Sequence, residues 1–301
     1  MKRQRGRHGG GPYTQRGVAL KKSFNDALAR RTGYQLLKVR PPEGGRKRPR
    51  RGSGDRLLQS PTFILCSVRS GSTLLRVLLG SHSKIHTPHE LHLRHIDVTV
   101  RNRPGLKALT EIGMDEERLE YLLWDRLLHR ELTDSGKKLL VNKTPNDVFI
   151  VDRLLECWPD ARFIFLLRHP GAIARSRHKA RPQDSVEKNA AMVARYCNAV
   201  EAARQAHDGL TVRYEELASD PAAVTKHVCE FLGVEWEEQM LSYGEFAHGK
   251  FKSGLGDWSP KIKSGEVQPP EPPPPAEELP EALQEVSRAW GYVEAEVPSG
   301  S

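Results

Sequence analysis

The segment PTFILCSVRSGSTLLRVLLGSH, residues 61–82, constrains the architecture of this chain more than any other. A short apolar run, Phe63 to Cys66, leads into a loop of small and polar residues around Arg69, after which leucines recur with helical spacing. A buried strand followed by a glycine-containing turn and a helix presents backbone N–H groups and the positive end of the helix dipole to an anion. The segment therefore predicts a strand, an anion-binding loop and a helix.

The loop lacks the lysine of the usual nucleotide-hydrolase loop. That loop reads G-x-x-x-x-G-K-[ST], whereas here Gly71 is followed by serine and Cys66 stands at the position of the first glycine. A candidate strand at 162–167 is followed by Arg168 and so supplies no carboxylate for magnesium. The residues favour an anion neutralised by Arg69 without a metal. An ordinary strand–turn–helix and a variant P-loop phosphotransferase or nucleotide hydrolase are the alternatives.

The positive charge of the chain is concentrated near its N-terminus. The net charge is +9 at neutral pH, but residues 1–51 carry +14 and the remainder carries −5. Residues 1–55 are rich in Arg, Gly and Pro, so we expect a disordered basic tail before a folded domain at 56–301. The tail is a candidate for contacts with nucleic acid, anionic lipid or an acidic partner, and a solubilising extension is the alternative. A non-enzymatic binding protein is a further hypothesis.

The composition predicts a cytoplasmic protein. No run of about 18 apolar residues occurs, so no membrane span is expected. The N-terminus is charged but lacks the apolar core of a secretory signal. The four cysteines are scattered without the spacing of a metal site, which predicts buried free thiols in a reducing compartment and no metal.

Strand and helix patterns alternate from residue 61 onward. Strands are expected at Thr62–Cys66, Lys138–Val141, Arg162–Leu167 and Leu210–Arg213. Helices are expected at Ser72–Ser81, Asp115–Asp134, Asn146–Trp158, Pro170–Ala180, Asp184–His207, Pro221–Leu232 and Glu277–Trp290. This alternation predicts an α/β fold, a P-loop-like three-layer α/β/α arrangement with a central parallel sheet. Residues 242–275 are expected to be irregular, with a Pro-rich segment at 265–276 before the last helix.

A second candidate for anion binding is FIFLLRHPGAIARS, which contains one of the predicted strands. Arg168 follows the strand, Pro170 favours the start of a helix, and Ser176 lies about two helical turns further on. The carboxyl ends of parallel strands meet at one rim of a sheet, where ligands bind. We therefore expect the loops at 67–73, 88–95, 142–146 and 168–172 to share one site.

Together, SVRSGSTLLRVLL and FIFLLRHPGAIARS resemble the two donor-binding signatures of sulfotransferases that use 3′-phosphoadenosine 5′-phosphosulfate. The resemblance covers roughly residues 61–292 and includes HTPHELHL, LVNKTP and VRYEELASDPAAVTKHVCEFLGV. The likeness is closest to a bacterial branch that includes polyketide-synthase sulfotransferase domains and resembles tyrosylprotein sulfotransferases. It implies an enzyme that moves a sulfonate from this donor to a hydroxyl of a small molecule, glycan or peptide, with no metal required.

The resemblance also implies which residues bind the donor. Those expected at the 5′-phosphosulfate are Arg69, Ser70, Gly71, Ser72 and Thr73, and those expected at the 3′-phosphate are Arg168 and Ser176. Tyr214 is a candidate for contact with the nucleotide, with packing at a helix start as the alternative. Lys261 and Lys263 are candidates for the phosphates, with a solvated loop as the alternative. Val68 replaces a proline that is common in the relatives, which predicts a less rigid loop.

Sulfuryl transfer also needs a base for the acceptor hydroxyl and a cation at the reacting oxygens. In HTPHELHLRH, an extended backbone would project Glu90 and His92 to one face. Glu90 lies 21 residues after Arg69, a spacing that resembles the catalytic glutamate of tyrosylprotein sulfotransferases. We expect Glu90 to be the general base and His92 its orienting partner or the alternative base. Lys143, in NKTP, matches a catalytic lysine of the similar families.

Overall fold

The computed structural model describes residues 56–246 and 260–293, so the predicted basic tail lies outside the described residues. The strands are β1 Thr62–Cys66, β2 Ile85–His86, β3 Leu139–Asn142, β4 Arg162–Leu167 and β5 Leu210–Arg213. The α-helices are α1 Ser72–Gly80, α2 Arg103–Glu111, α3 Glu116–Ser135, α4 Val151–Cys157, α5 Pro170–Ala180, α6 Val186–Ala206, α7 Tyr214–Ser219, α8 Pro221–Leu232, α9 Pro260–Lys263 and α10 Glu281–Ala289. Short 3₁₀ helices lie at Leu93–His95, Pro145–Phe149, Glu238–Glu245 and Ala276–Glu278.

The strands form one parallel sheet in the order β2-β3-β1-β4-β5. Strand β1 occupies the centre, where it pairs with β3 on one side and along its whole length with β4 on the other. Because the strands are parallel, the loops that follow β1, β3 and β4 all leave from the same rim of the sheet. The topology thus places the two predicted anion-binding loops on adjacent strands.

Alternating side chains of the central strands build a core on each face of the sheet. Phe63 and Leu65 pack against Trp158 and the helices α4, α6 and α10 on one face, and Ile64 and Cys66 pack against α1 and α8 on the other. Successive side chains of a strand point to opposite faces, so an uninterrupted apolar run is buried on both sides. The predicted three-layer α/β/α fold is therefore confirmed. Among the described residues, no helix is long and apolar enough to cross a membrane.

The structure differs from the prediction in several places: α9 lies within 242–275, which the sequence predicts to be irregular, the last helix begins at Glu281 and not at Glu277, and three other segments differ more. The segment expected as one helix at 146–158 begins as a 3₁₀ helix and becomes α-helical only at Val151, because Ile150 has non-helical backbone angles, φ −131° and ψ 26°. Strand β2 is only two residues long and has no apolar run to mark it. Helix α2 exposes most of its length and starts with Arg103, Pro104 and Gly105, which resemble a turn.

A buried carboxylate ties the start of the described chain to the helical layer. Asp125, in α3, is 1% exposed and accepts hydrogen bonds from the backbone N–H groups of Leu57 and Leu58 at 2.7 and 3.1 Å. It also accepts one from Nε1 of Trp158 at 2.9 Å. Three buried or half-buried donors therefore depend on a single side chain.

Replacing Asp125 with alanine should lower the free energy of unfolding by about 3 kcal/mol, because three donors lose their acceptor inside the protein. Urea denaturation measures the change. Asp134→Ala is the matched control, since Asp134 lies on the same helix, is 65% exposed and, among the described residues, pairs with Arg130 alone. We expect this control to cost less than about 1 kcal/mol. Equal losses for both variants would contradict the anchoring role.

Candidate active site

The first loop is shaped by two residues in the left-handed region of the backbone. Arg69 has φ 64° and Gly71 has φ 86°, and Gly71 caps the N-terminus of α1, with its carbonyl accepting from the N–H of Leu74 at 2.9 Å. Left-handed backbone is costly for a side chain other than glycine, so the surrounding contacts must hold Arg69 in place. The loop turns so that its N–H groups and the start of α1 face the rim of the sheet.

A pair of hydrogen bonds joins the first loop to the second. A terminal nitrogen of Arg168 donates to the carbonyl oxygen of Arg69 at 2.9 Å, and Nε of Arg69 donates to Oγ of Ser176 at 3.3 Å. Arg168 of the second loop thus contacts the backbone of the first loop, and the side chain of Arg69 in the first loop contacts Ser176 on α5. Burial lowers the pKa of Arg168, and electrostatic attraction to Tyr214 and Glu215 opposes that shift.

Tyr214 packs against both loops. A Cβ added at Gly71 would lie 2.2 Å from Cδ2 of Tyr214, so only glycine fits beneath the ring. The guanidinium carbon of Arg168 lies 4.2 Å from the centre of the same ring, a favourable cation–π distance. The tyrosine therefore fixes the position of the Arg168 guanidinium relative to the first loop.

These residues line a cavity of about 480 Å³. Four cations face it from the two loops and α5, namely Arg69, Arg168, Arg175 and Lys179. The lining also includes Glu266 and Glu271, and Glu271 lies 3.5 Å from Nζ of Lys179. Its size lies in the range of small-molecule sites, and the excess of cations suits an anionic ligand.

Ser70 contributes a further polar group, its hydroxyl, to the first loop. Its side chain is fully buried, and its Oγ makes no hydrogen bond of ordinary length with any described residue. It lies beside the thiol of Cys66, whose pKa is raised to about 11 by burial. Because the thiol stays neutral near pH 7, Cys66 adds no negative charge to the anion-binding loop.

On the other side of β1, Lys143 and Glu90 form a buried ion pair. Lys143 directly follows β3, is 1% exposed and donates to Oε1 of Glu90. Oε2 of Glu90 lies 3.7 Å from Nε2 of His92, which has a left-handed φ of 50°. The structure therefore brings together the three residues that the sequence predicted as catalytic.

A second carboxyl group, that of Asp147, lies near Lys143. Asp147 is fully buried and accepts a hydrogen bond from Nδ2 of Asn142 at 2.7 Å. Burial raises its pKa to about 8, in spite of the opposing effects of Asn142 and Lys143. Near pH 7 the carboxyl is mostly protonated and does not compete with Glu90 for the lysine.

The profile of the sulfotransferase family matches residues 61–238, which include β1 to β5 and both loops. The chain belongs to the sulfotransferase family. The match contains the first loop, the Glu90–Lys143 pair and the second loop in one continuous stretch. The resemblance inferred from the sequence motifs is thereby confirmed.

Two curated relatives share parts of the chain. Nodulation protein NoeE of Sinorhizobium fredii (strain NBRC 101917 / NGR234) is 32% identical over 125 residues, which cover 38% of this chain and 30% of that protein. An uncharacterized protein of Aquifex aeolicus (strain VF5) is 27% identical over 213 residues, which cover 61% of this chain and 26% of that protein. The chain thus spans less than a third of the length of either relative.

Two solved sulfotransferase domains share the fold. One, from the curacin biosynthetic pathway, is 23% identical, covers 78% of this chain and 99% of its own length, and has a TM-score of 0.57. The other, from the Synechococcus PCC 7002 olefin synthase, is 24% identical, covers 84% of this chain and 100% of its own length, and has a TM-score of 0.54. These likenesses support the α/β architecture of this family member.

Sequence reasoning missed three cations of this candidate site. Arg175 and Lys179 are four residues apart on α5, a spacing that places them on one face and that the sequence displays. Arg76 is 3% exposed on α1 and approaches Glu90, which opposes the lowering of the Arg76 pKa to about 10 by burial. In the sequence, Arg76 could have been noticed as a charged residue within an otherwise apolar helix.

The two lysines predicted near the phosphates lie on α9. Ile262, between them, lines the cavity, whereas Lys263 has an exposed side chain and is not among the lining residues of the described chain. The side chain of Lys261 lies outside the described part of the chain. Of the residues predicted at the donor, those of the two loops and Tyr214 are the ones that the structure gathers at this rim.

Gly71→Ala should destabilise the protein more than the same change at another left-handed glycine. Gly136→Ala is the matched control, because Gly136 has φ 67° and an added Cβ meets no described atom within 4 Å. The control should lose about 1–2 kcal/mol of unfolding free energy through backbone strain alone. Gly71→Ala should lose about 1–3 kcal/mol more through the clash with Tyr214, as measured in urea. Adding Tyr214→Ala should remove the excess; an excess that persists would refute the packing argument.

Proposed function

We propose that this protein transfers a sulfonate from 3′-phosphoadenosine 5′-phosphosulfate to a hydroxyl group of an acceptor. The observation that carries the proposal is the pair of hydrogen bonds between the two loops, from Arg168 to the Arg69 carbonyl and from Arg69 to Ser176. A donor with phosphate at both ends of its ribose needs two anion-binding groups at a fixed separation. Two loops that brace each other supply such a separation.

The residues at the rim suit the anionic groups of this donor. In the proposed site, Arg69 and the hydroxyls of Ser70, Ser72 and Thr73 bind the 5′-phosphosulfate, together with the N–H groups at the start of α1. Arg168 and Ser176 bind the 3′-phosphate. The buried Oγ of Ser70 has the thiol of Cys66, a weak hydrogen-bonding group, as its neighbour, so it suits a ligand in the first loop.

The order of groups along the rim supports an in-line transfer. Arg168 follows β4, Arg69 follows the central β1, and Lys143 follows β3, so the proposed nucleotide site and the Glu90–Lys143 pair lie on opposite sides of the first loop. An acceptor held beside Glu90 would approach the sulfur from the side away from the nucleotide. Positioning of this kind is a large part of catalysis in related phosphoryl transfers.

In the proposed reaction, the acceptor oxygen forms a bond to sulfur while the bond from sulfur to the bridging phosphate oxygen breaks. Glu90 takes the proton of the acceptor hydroxyl, and 3′,5′-adenosine bisphosphate leaves. Lys143 stabilises the charge that develops on the reacting oxygens. His92, at 3.7 Å, orients the Glu90 carboxylate.

Donor binding should depend on both arginines and not on magnesium. Arg69→Ala and Arg168→Ala should each raise the Kd of 3′,5′-adenosine bisphosphate by about 30-fold or more, which is about 2 kcal/mol for a charge-assisted contact. Calorimetric titration in EDTA measures the change, and Arg130→Ala, on an exposed face of α3, is the control. Unchanged affinity in the loop variants, or tighter binding of Mg-ATP than of the bisphosphate, would refute the proposal and favour a variant phosphotransferase.

Glu90→Gln should separate binding from chemistry. The amide cannot take a proton, so transfer of labelled sulfonate to acceptors in a cell extract should fall by about 100-fold or more. The Kd of 3′,5′-adenosine bisphosphate should stay within about threefold of the original, because Glu90 does not line the cavity proposed to bind the bisphosphate. His92→Asn serves as the comparison. Transfer that survives in Glu90→Gln and vanishes in His92→Asn would make His92 the base.

A further inference from the structure

Two arginines that the sequence analysis did not use lie on one aromatic ring near the proposed base. The guanidinium carbons of Arg94 and Arg195 are each 4.7 Å from the centre of the Phe149 ring. Phe149 ends the 3₁₀ helix that begins at Pro145, two residues after Lys143. We call Arg94 and Arg195 the arginine pair.

The arginine pair has no counter-charge within the described chain. Neither guanidinium makes a hydrogen bond or an ion pair with a described residue, whereas Arg153, Arg177 and Arg204 each face a carboxylate. Arg195 is exposed and Arg94 is half-buried, so solvent reaches both. Two positive charges held near one ring repel each other, and an anion bound beside these guanidiniums would offset that cost.

Beside the pair, three polar side chains form a chain of hydrogen bonds. The hydroxyl of Tyr196 donates to Oδ1 of Asn146 at 2.5 Å, and Nδ2 of Asn146 lies 3.2 Å from Nε2 of His95. Tyr196 also packs edge-on against Phe149, with ring centres 4.7 Å apart. Burial raises the pKa of Tyr196, and the charges of Arg94 and Arg195 oppose that shift. Both guanidiniums therefore lie within electrostatic reach of this phenol.

The surface adjoins the Glu90–Lys143 pair rather than the nucleotide cavity. The ring of His95 lies 6.3 Å from that of His92, which in turn contacts Glu90. Asn146 follows Lys143 by three residues, on the same loop after β3. Neither member of the arginine pair lines the cavity beside Arg168. The pair is thus placed toward the side from which an acceptor would approach.

We propose that the arginine pair binds an anionic group of the acceptor, so that the acceptor is a hydroxyl compound that also carries a carboxylate or a phosphate. This inference rests on the proposed function and adds the substrate class. A planar guanidinium can bind two oxygens of either group at once, and the rings of Phe149 and Tyr196 offer a surface for the carbon skeleton. The anion would fix the acceptor while Glu90 faces its hydroxyl.

Matched acceptors that differ only in charge test the inference. One set is glucose, glucuronate and glucose 6-phosphate, and the other is 4-hydroxyphenylacetamide and 4-hydroxyphenylacetate. Transfer of labelled sulfonate from the donor is measured for each compound with the full-length protein. We expect kcat/KM to be at least about tenfold higher for a charged member than for the neutral member of its set. A preference for glucuronate or for glucose 6-phosphate identifies carboxylate or phosphate as the recognised group.

The double variant Arg94→Gln/Arg195→Gln should lower kcat/KM for the preferred charged acceptor by about 30-fold and for its neutral counterpart by less than about threefold. Arg162→Gln is the matched control, since Arg162 stacks on Phe231 at 4.2 Å but is the first residue of β4, at the opposite rim of the sheet. This control should leave the preference unchanged.

The Kd of 3′,5′-adenosine bisphosphate, measured for every variant, distinguishes the two proposals. If the original protein does not bind the bisphosphate, the proposed function itself fails. If it binds the bisphosphate but sulfonates neutral and charged members equally, prefers the neutral ones, or sulfonates none of the five compounds, the acceptor inference is overturned. An equal loss on neutral and charged acceptors in the double variant also overturns it, because an anion-binding role would act on the charged ones alone.

Discussion

The hydrogen bond from the Arg168 guanidinium to the Arg69 carbonyl oxygen is the contact on which the site depends. Arg69, which follows β1, has left-handed backbone, and its carbonyl is held by the side chain of Arg168, which follows the adjacent strand β4. Strand β1 pairs with β4 over its whole length, so the two loops start from a common, rigid edge. A strained loop conformation persists only where its surroundings determine it, and here the neighbouring loop does so.

On the side of the site that contains Lys143, burial determines which side chains lie in pairs and which carry charge. Lys143 is almost fully buried, and a charge in such a place needs a partner that is also ionised. Glu90 provides that partner, whereas Asp147 is kept mostly neutral by its own burial. Two carboxyl groups near one lysine therefore differ in charge. The Glu90 carboxylate, whose side chain is still 12% exposed, is the one that we propose meets the acceptor.

Much of the fold could be predicted because the central strands are buried on both faces. The limits of β1, β4, β5, α5 and α8 follow from apolar runs bounded by turn residues, and the predicted limits are those of the structure. Strand β2 could not be predicted, since two residues carry no periodicity, and its place at the edge is set by pairing with β3. Exposed helix α2 buries no residue, and its first residues, Arg103, Pro104 and Gly105, resemble a turn in the sequence.

The site was predictable where a motif fixed the position of a side chain along the chain. The strand ends determine where Arg69, Arg168 and Lys143 lie, so their meeting at one rim follows from the topology. The clash that Tyr214 would make with any side chain at position 71 depends on packing between segments far apart in sequence. The stacking of Arg94 and Arg195 on Phe149 likewise joins three separate segments. Contacts of this kind leave no local pattern.

The distribution of charge joins these features. Outside its first 51 residues the chain has a net charge of −5, yet cations dominate the rim. The ion pair between Glu90 and Lys143 then couples two parts of the proposed reaction. While Glu90 is ionised, it holds the positive charge of Lys143. When Glu90 takes a proton from the acceptor, that attraction is lost, and the lysine charge becomes available to the oxygen on which negative charge develops. Proton transfer and stabilisation of the leaving group would therefore be coupled through this one salt bridge.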